Sequence, residues 1–273
     1  MSEEARIAAL PLWHGRRLVI EPVAAGRTNR NFIVQYLGQR YFARVGAEIP
    51  LHGISRAAER RCAMLAADAG IAPAVVFAGG GIMITAYVEG ETLSIASARR
   101  PDRLSRIAAV LQRLHAIPTQ DDLPHFCPLA ASHRYLAQLS DAELPIARKR
   151  IEACLARLPS LPPQCLIHGD LIPENFILSG EHLLLVDWEY AGNGAVATDL
   201  AMVISNFELE AATAQSLLRL YGPVDQTAVE AMRVAAIVRE ALWCLAQVRI
   251  GGMVGDLKEY TALCLQRLQR VLP

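Results

Sequence analysis

Residues 166–178 read "LIHGDLIPENFIL", and after a Ser179-Gly180 turn residues 182–190 continue "HLLLVDWEY". The flanks are apolar and strand-like, whereas the middle carries His168, Asp170, Glu174 and Asn175. An apolar run that interrupts itself with polar groups is presenting them to something, because a buried polar group without a partner costs roughly 1–3 kcal/mol. The spacing reads as strand, loop, strand. "CLI" ends at His168, Asp170 and Asn175 stand at the two ends of one short loop, and the following strand delivers Asp187 at its end. Asp170, Asn175 and Asp187 can therefore converge.

The residue types narrow the chemistry. One carboxylate and one amide, Asp187 and Asn175, suit a Mg²⁺ ion that keeps some waters and shares phosphate oxygens. Asp170 is left to orient a hydroxyl group and accept its proton. Together these are the parts that phosphoryl transfer needs, where positioning and charge neutralisation do nearly everything. A lone His-x-Asp turn is usually a hydrogen-bonded loop; His-x-Asp-x4-Asn followed by a hydrophobic strand ending in Asp is far more specific.

The bulk composition agrees with a folded enzyme. The chain has 273 residues, enough for two lobes around a cleft, and is 53% hydrophobic, enough for a sizeable core. Its formal net charge is zero, which removes the usual electrostatic footprint of a nucleic-acid binder. Six cysteines lie far apart without Cys-x-x-Cys spacing and read as buried small hydrophobes in a reducing compartment. No signal peptide is evident, and "VAAIVREALWCLAQVRI" is interrupted by Arg239, Glu240 and Arg249, so it reads as a buried helix rather than a span. The expectation is a cytoplasmic protein without a membrane span; the oligomeric state is not legible.

Along the chain the texture changes once. "RRLVIEP", "NFIVQY", "RYFARV", "PAVVFA" and "GIMITAY" are short β-rich runs separated by turn residues, interrupted by one helix, "ISRAAERRCAMLAADAG", which stops at Gly70. After "YVEGETLS" helices dominate. Leu104, Ile107, Leu111 and Leu114 keep helical spacing, as do Ile151, Cys154, Leu155 and Leu158, and two further helices cover about 226–248 and 255–271. The predicted class is α+β: a small antiparallel β lobe with one helix over residues 1–88, and a larger mainly helical lobe over 89–273.

"HGDLIPEN" together with "VDWEYAGNGAVATDLA" resembles the choline/ethanolamine kinase family of the aminoglycoside phosphotransferase superfamily, relatives of the protein kinases, in its bacterial choline-kinase-like branch. The resemblance runs from about residue 15 to 250 and implies a two-lobed, protein-kinase-like fold that uses ATP and Mg²⁺. It makes Asp170 the catalytic base, Asn175 and Asp187 the magnesium ligands, His168 a brace of the loop and Asp199 its anchor. "GRTNRNF" resembles the family's phosphate-covering turn, which assigns Gly26, Thr28 and Asn29 to the nucleotide, although Ala25 stands where a second glycine is frequent. Arg44 occupies the strand-cation position, where a guanidinium fork can still pair with phosphate, and Glu59 is its helix partner. "MITAYVEG", with Tyr87, resembles the interlobe connector that meets adenine, and His115 reads as structural.

For the acceptor, Arg44 in place of Lys, the "DWEYAG" motif with Glu189 and Tyr190, and Trp243 imply choline or ethanolamine, because aromatic faces with carboxylates hold quaternary ammonium groups. Two departures weaken that cage: Ala246 where a second tryptophan is frequent, and Asn206 where an acid is, with Glu208 and Glu210 close by. The alternatives are another hydroxylated acceptor (an aminoglycoside, thiamine, methylthioribose or a sugar) or a non-catalytic nucleotide-binding relative. The basic segments "ARKRIEACLARLP" and "RRPDRLSR" speak against a polycationic aminoglycoside.

Overall fold

Alternating β-branched and polar residues set up the first layer. In the computed structural model, which describes residues 1–23, 29–251 and 257–272, five antiparallel strands form one sheet in the order β1-β2-β3-β5-β4. They are β1 (Val19–Val23), β2 (Arg30–Tyr36), β3 (Gln39–Val45), β4 (Val75–Gly79) and β5 (Ile82–Ala86). Leu37 and Gly38, both at positive φ (51° and 78°), close the β2–β3 hairpin as a two-residue turn, which matches the twist of its strands. One sheet face buries Phe32, Val34, Ala43, Val45, Ile82 and Ile84 against Ile7 and Trp13. Ile7 lies on a short N-terminal helix, α1 (Glu3–Ala8), which the sequence reading did not separate from the chain end. Its Ser2 cap accepts from the Ala5 N–H, and the Trp13 indole donates to the Ile7 carbonyl at 2.8 Å.

The helix between β3 and β4, α2 (Arg56–Asp68), is capped by Ser55, and Gly70, at φ +64°, ends the stretch that contains it. Its apolar face does not stay with the sheet. Cys62, Ala63 and Ala66 belong to the same core as Leu104, Leu111, Leu185 and Trp188 of the larger part, and the Leu185 N–H donates to the Ile71 carbonyl at 2.7 Å. α2 is thus a fixed joint between the sheet and the helical part.

The second part begins with β6 (Glu91–Thr92) and continues through α3 (Ile95–Ala98), α4 (Pro101–His115), α5 (Pro128–Gln138) and α6 (Arg148–Leu155). Then come β7 (Cys165–Ile167), β8 (Phe176–Ser179), β9 (His182–Leu185) and β10 (Gly192–Gly194), followed by α7 (Val196–Asn206), α8 (Ala211–Tyr221), α9 (Gln226–Gly251) and α10 (Leu257–Val271). The strands of the opening motif do not pair with one another throughout. β8 pairs with β6 and β9, whereas β7 pairs only with β10. That second pairing is held by Asn193, whose amide donates to the Gln120 and Leu123 carbonyls and accepts from the Gln120 N–H.

α9 explains why the longest apolar stretch of the chain is not a membrane span. At 26 residues it is about 39 Å long and is packed by α5, α7 and α10, so it is apolar on several sides at once. No described helix is long and apolar enough to cross a membrane. All six cysteines are free; Cys244, Cys264 and Glu240 each offer a ligand atom within 4.8 Å of the others, with Glu240 also accepting from the Tyr260 hydroxyl.

A buried histidine stitches the parts together. His52, on the segment between β3 and α2, meets the Tyr135 hydroxyl of α5 at 3.1 Å and Gln247 of α9 at 2.8 Å. Burial holds it below the ordinary histidine value; the Gln247 contact pulls the other way, and the Arg239 and Arg134 charges reinforce the depression. A depressed folded-state value means that the unfolded chain takes up the proton more readily. The stabilisation is therefore complete above about pH 6.5 and is lost below it, by up to about 1.4 kcal/mol per pH unit. The melting temperature should fall from pH 7 to pH 5, with a shallower slope in His52→Gln, as differential scanning fluorimetry would read.

Candidate active site

The loop after β7 is built by hydrogen bonds that leave the Asp170 carboxylate without a hydrogen-bond partner among the described residues. Asp199, at 0% exposure in α7, accepts from the His168 N–H at 2.8 Å and the Gly169 N–H at 3.0 Å. His115 lies 3.2 Å from the same carboxylate and 3.0 Å from the Tyr221 hydroxyl. Burial alone would raise Asp199, but these bonds from His115 and His168 win and keep it ionised. His168 accepts the Asp170 N–H at Nδ1 and faces the Val186 carbonyl at 2.9 Å through Nε2, an arrangement for the neutral ring. Burial lowers its proton affinity in the same sense, and Trp188 packs at 4.7 Å between ring centroids.

Gly169 cannot carry a side chain here. Its φ is +75°, and a Cβ would come within 2.6 Å of the Tyr190 carbonyl. Asp170 follows with its backbone tied at both ends, its N–H to His168 and its carbonyl accepting from Asn175 Nδ2 at 2.8 Å. That bond leaves the Asn175 Oδ1 as its remaining acceptor. Desolvation pushes the Asp170 carboxyl up to about 8, with the Arg239 charge pulling it down and Glu240, Asp187 and Glu189 pushing it further up.

Asp187 sits at φ +69°, a conformation that costs a non-glycine residue of order 1 kcal/mol and concentrates at functional sites. It faces the first lobe. The Arg44 Nη1 on β3 lies 2.7 Å from Asp187 Oδ1 and 2.6 Å from Glu59 Oε1 on α2. Arg44 is 7% exposed and Glu59 2%, so these two form a desolvated pair, with the Asp187 side chain 28% exposed beside them. Burial works against the Arg44 charge, but Asp187, Glu59 and Glu189 outweigh it and keep the guanidinium firmly protonated. Its Nε is buried without a partner among the described residues. Arg44, Glu59, Asp170, Asn175 and Asp187 thus gather around the joint between the sheet and the Asp170 loop.

The remaining expected residues divide. Gly26 and Thr28 lie outside the described residues. Asn29 donates from Nδ2 to Glu189 at 2.8 Å, across 160 residues of sequence. Glu189 also lies 3.3 Å from Arg56, so its carboxylate is turned toward the first lobe. Tyr87 follows β5, bonds the Arg40 carbonyl through its N–H, and lies under the Arg40 guanidinium at 4.3 Å. Tyr190 and Trp243 do meet: the indole donates to the Tyr190 hydroxyl at 3.0 Å, and both are 7% exposed. Glu208 instead pairs with Arg99 and Arg267, and Asn206 donates to the Leu171 carbonyl.

Two arginines escaped the sequence reading. Arg56 joins Glu59 at 2.6 Å and Glu189 at 3.3 Å; its i, i+3 spacing from Glu59 was the available signal. Arg239 is 3% exposed and lies over the rings of Tyr190 at 4.8 Å and Phe126 at 5.3 Å. Nothing in its helical surroundings, "VREALW", distinguishes it from a surface arginine.

The fold is that of the protein-kinase-like phosphotransferases. The chain belongs to the phosphotransferase enzyme family, whose model matches residues 19–234. It is similar to the protein LicA of Haemophilus influenzae, 26% identical over 210 residues that make up 72% of this chain and 60% of LicA. It is also similar to the thiamine kinase of Salmonella paratyphi A, 33% identical over 143 residues covering 50% of this chain and 47% of that one. The chain therefore spans about half to three fifths of the length of these curated relatives. Among solved structures, a choline/ethanolamine kinase family protein from Mesorhizobium loti superposes with a TM-score of 0.77 at 26% identity, covering 98% of this chain and 92% of the other.

Proposed function

We propose that this chain is an ATP- and Mg²⁺-dependent kinase that phosphorylates the hydroxyl group of a small molecule. The observation that carries this reading is the Asp170 loop, whose backbone is held by Asp199, His168 and Asn175 while the Asp170 carboxylate makes no hydrogen bond among the described residues. In this reading Asp170 orients the acceptor hydroxyl and takes its proton while the oxygen attacks the γ-phosphorus in line and ADP departs.

The donor set fits the divalent ion. Asn175 and Asp187 offer hard oxygens, and a bound Mg²⁺ would supply neutralisation of charge on the phosphates. Arg44 has an unpartnered buried Nε, which suits phosphate oxygens, with Glu59 fixing the guanidinium from behind. Gly26, Thr28 and Asn29 would cover the phosphates and Tyr87 would lie by the base, with the lobes meeting near residue 88 in a cytoplasmic enzyme.

For the acceptor, the sequence motifs, the likeness to the Mesorhizobium loti choline/ethanolamine kinase family protein and the Tyr190–Trp243 pair support choline or ethanolamine. The Salmonella thiamine kinases support another hydroxylated acceptor. A second reading is favoured by Arg239, which already lies on the Tyr190 ring, and is developed below.

The test is ADP release from ATP by the purified chain with choline, ethanolamine, thiamine, methylthioribose, kanamycin and glycerate, each with Mg²⁺ and with excess EDTA. At least one acceptor should give saturable release that EDTA removes. Acceptor-independent release, or release unaffected by EDTA, would contradict the reading.

A further inference from the structure

The acceptor end of the site contains a cation where a cationic acceptor would need aromatic faces. Arg239 on α9 stacks over both Tyr190 and Phe126 at 4.8 and 5.3 Å. A trimethylammonium group brought to those rings would meet a fixed guanidinium instead of an empty cage, and like charges in a desolvated site repel strongly. The carboxylate expected to offset an ammonium there, Glu189, accepts from Asn29 and is paired with Arg56 of the first lobe.

Arg239 is also under-partnered. It is 3% exposed, its nearest paired carboxylate is Glu240 at 3.8 Å, and its Nε has no hydrogen-bond partner among the described residues. A small cavity of about 20 Å³ opens beside it, lined by Arg239, Glu240, Ser205, Asn206 and Arg267 among others. The Ser205 hydroxyl on that lining is buried and also without a partner. Asn206 connects the cavity to the catalytic loop by donating to the carbonyl of Leu171, the residue after Asp170. Two buried donors without a partner among the described residues, one of them a cation, therefore belong to residues that line one cavity, which Asn206 joins to the loop of the expected base. Burying a charge in that way is costly unless something of opposite sign completes it.

We infer that the acceptor of this kinase carries an anionic group, a carboxylate or a phosphate, that pairs with Arg239 and Ser205 while its hydroxyl reaches Asp170. The inference rests on the kinase reading and departs from its amino-alcohol acceptor. A planar guanidinium edge matches both anions bidentately, so the two are distinguished by experiment.

Glycerate and glycerol 3-phosphate supply the two anions, glycerol the neutral skeleton, and choline and ethanolamine the cations. Binding to protein loaded with Mg²⁺ and a non-hydrolysable ATP analogue is read by calorimetry, and ADP release is measured in parallel with ATP. An anionic probe should exceed choline at least about 30-fold in kcat/KM and bind where glycerol does not, as expected for a buried charge pair. Arg239→Gln should remove that preference through the acceptor KM, with the ATP KM unchanged, and Arg239→Lys should restore part of it. The wild-type ranking decides even if Arg239→Gln fails to fold. A preference for choline or ethanolamine, or a ranking unmoved by Arg239→Gln in folded protein, would overturn the inference and leave the kinase intact. Failure to bind the nucleotide analogue would remove the kinase reading, and this inference with it.

Discussion

Asp170→Asn is expected to lower kcat by about 10²–10⁴-fold, the usual contribution of a positioned general base, while leaving the fold and nucleotide binding in place. The structural half of this expectation follows from how the loop is held. The bonds at residue 170 are made by its backbone N–H and carbonyl, and the turn before it is anchored by Asp199 through the His168 and Gly169 N–H groups. An amide of the same shape therefore disturbs nothing that supports the loop. It also relieves the desolvation that pushes the carboxyl up to about 8, so the variant should be at least as stable as the parent. Single-turnover kinetics, urea unfolding and calorimetry of nucleotide binding check the three parts. A variant that keeps its turnover would show that the base lies elsewhere.

Arg44→Met carries the second large effect, and here stability and activity fall together. Removing the guanidinium leaves Glu59 and Asp187 without the cation that joins them at 2.6 and 2.7 Å. Stranding a buried charge costs about 3–5 kcal/mol, and Arg56, which holds the other oxygen of Glu59, moves the expectation to the lower end of that range. Because Arg44 is also the cation proposed to meet the ATP phosphates, kcat/KM for ATP should fall about 100-fold or more. Arg44→Lys should recover most of the stability and less of the activity, since an ammonium restores the charge but not the fork. A double-mutant cycle with Glu59→Gln isolates the pair: if Glu59 is stabilised mainly by Arg56, the coupling with Arg44 will be near zero.

Much of this architecture is legible in the sequence because local pattern and global fold agree. All five strands of the first sheet and α4 lie where Val, Ile, Phe and Leu spacing puts them, and α2 lies in the Ala-, Arg-, Leu- and Glu-rich run that stops at Gly70. The Asp170 loop is legible because an apolar stretch has no local reason to carry Asp170 and Asn175. What escaped has separate physical causes. α7, "VATDLAMVISN", buries seven consecutive residues, Ala197 to Val203, polar Thr198 and Asp199 among them, and α1 is only six residues long. β10 is the tripeptide Gly192–Gly194, devoid of strand formers, and exists because Asn193 latches it to a distant loop.

The site divides along the same line. Asp170, Asn175 and Asp187 are close in sequence and could be grouped by motif. The Arg44–Glu59 pair is joined over 15 residues between a strand and a helix and could be matched by position. Glu189 reaching back to Asn29 and Arg56, and Arg239 entering the aromatic face of Tyr190, are set by how the two lobes dock and where α9 runs through the core. A motif places Glu189 and Tyr190 next to each other on the chain, yet packing turns one toward the first lobe and the other toward α9.

The central claim, that the γ-phosphoryl group passes from ATP to a hydroxyl oxygen of a small acceptor in the grip of Asp170, is tested most directly by ³¹P NMR of the products. The chain, ATP, Mg²⁺ and the best acceptor of the panel should yield one phosphomonoester for each ADP formed, with neither product appearing in the Asp170→Asn reaction. ADP accompanied only by inorganic phosphate, or a phosphomonoester that Asp170→Asn produces at the parent rate, would contradict it.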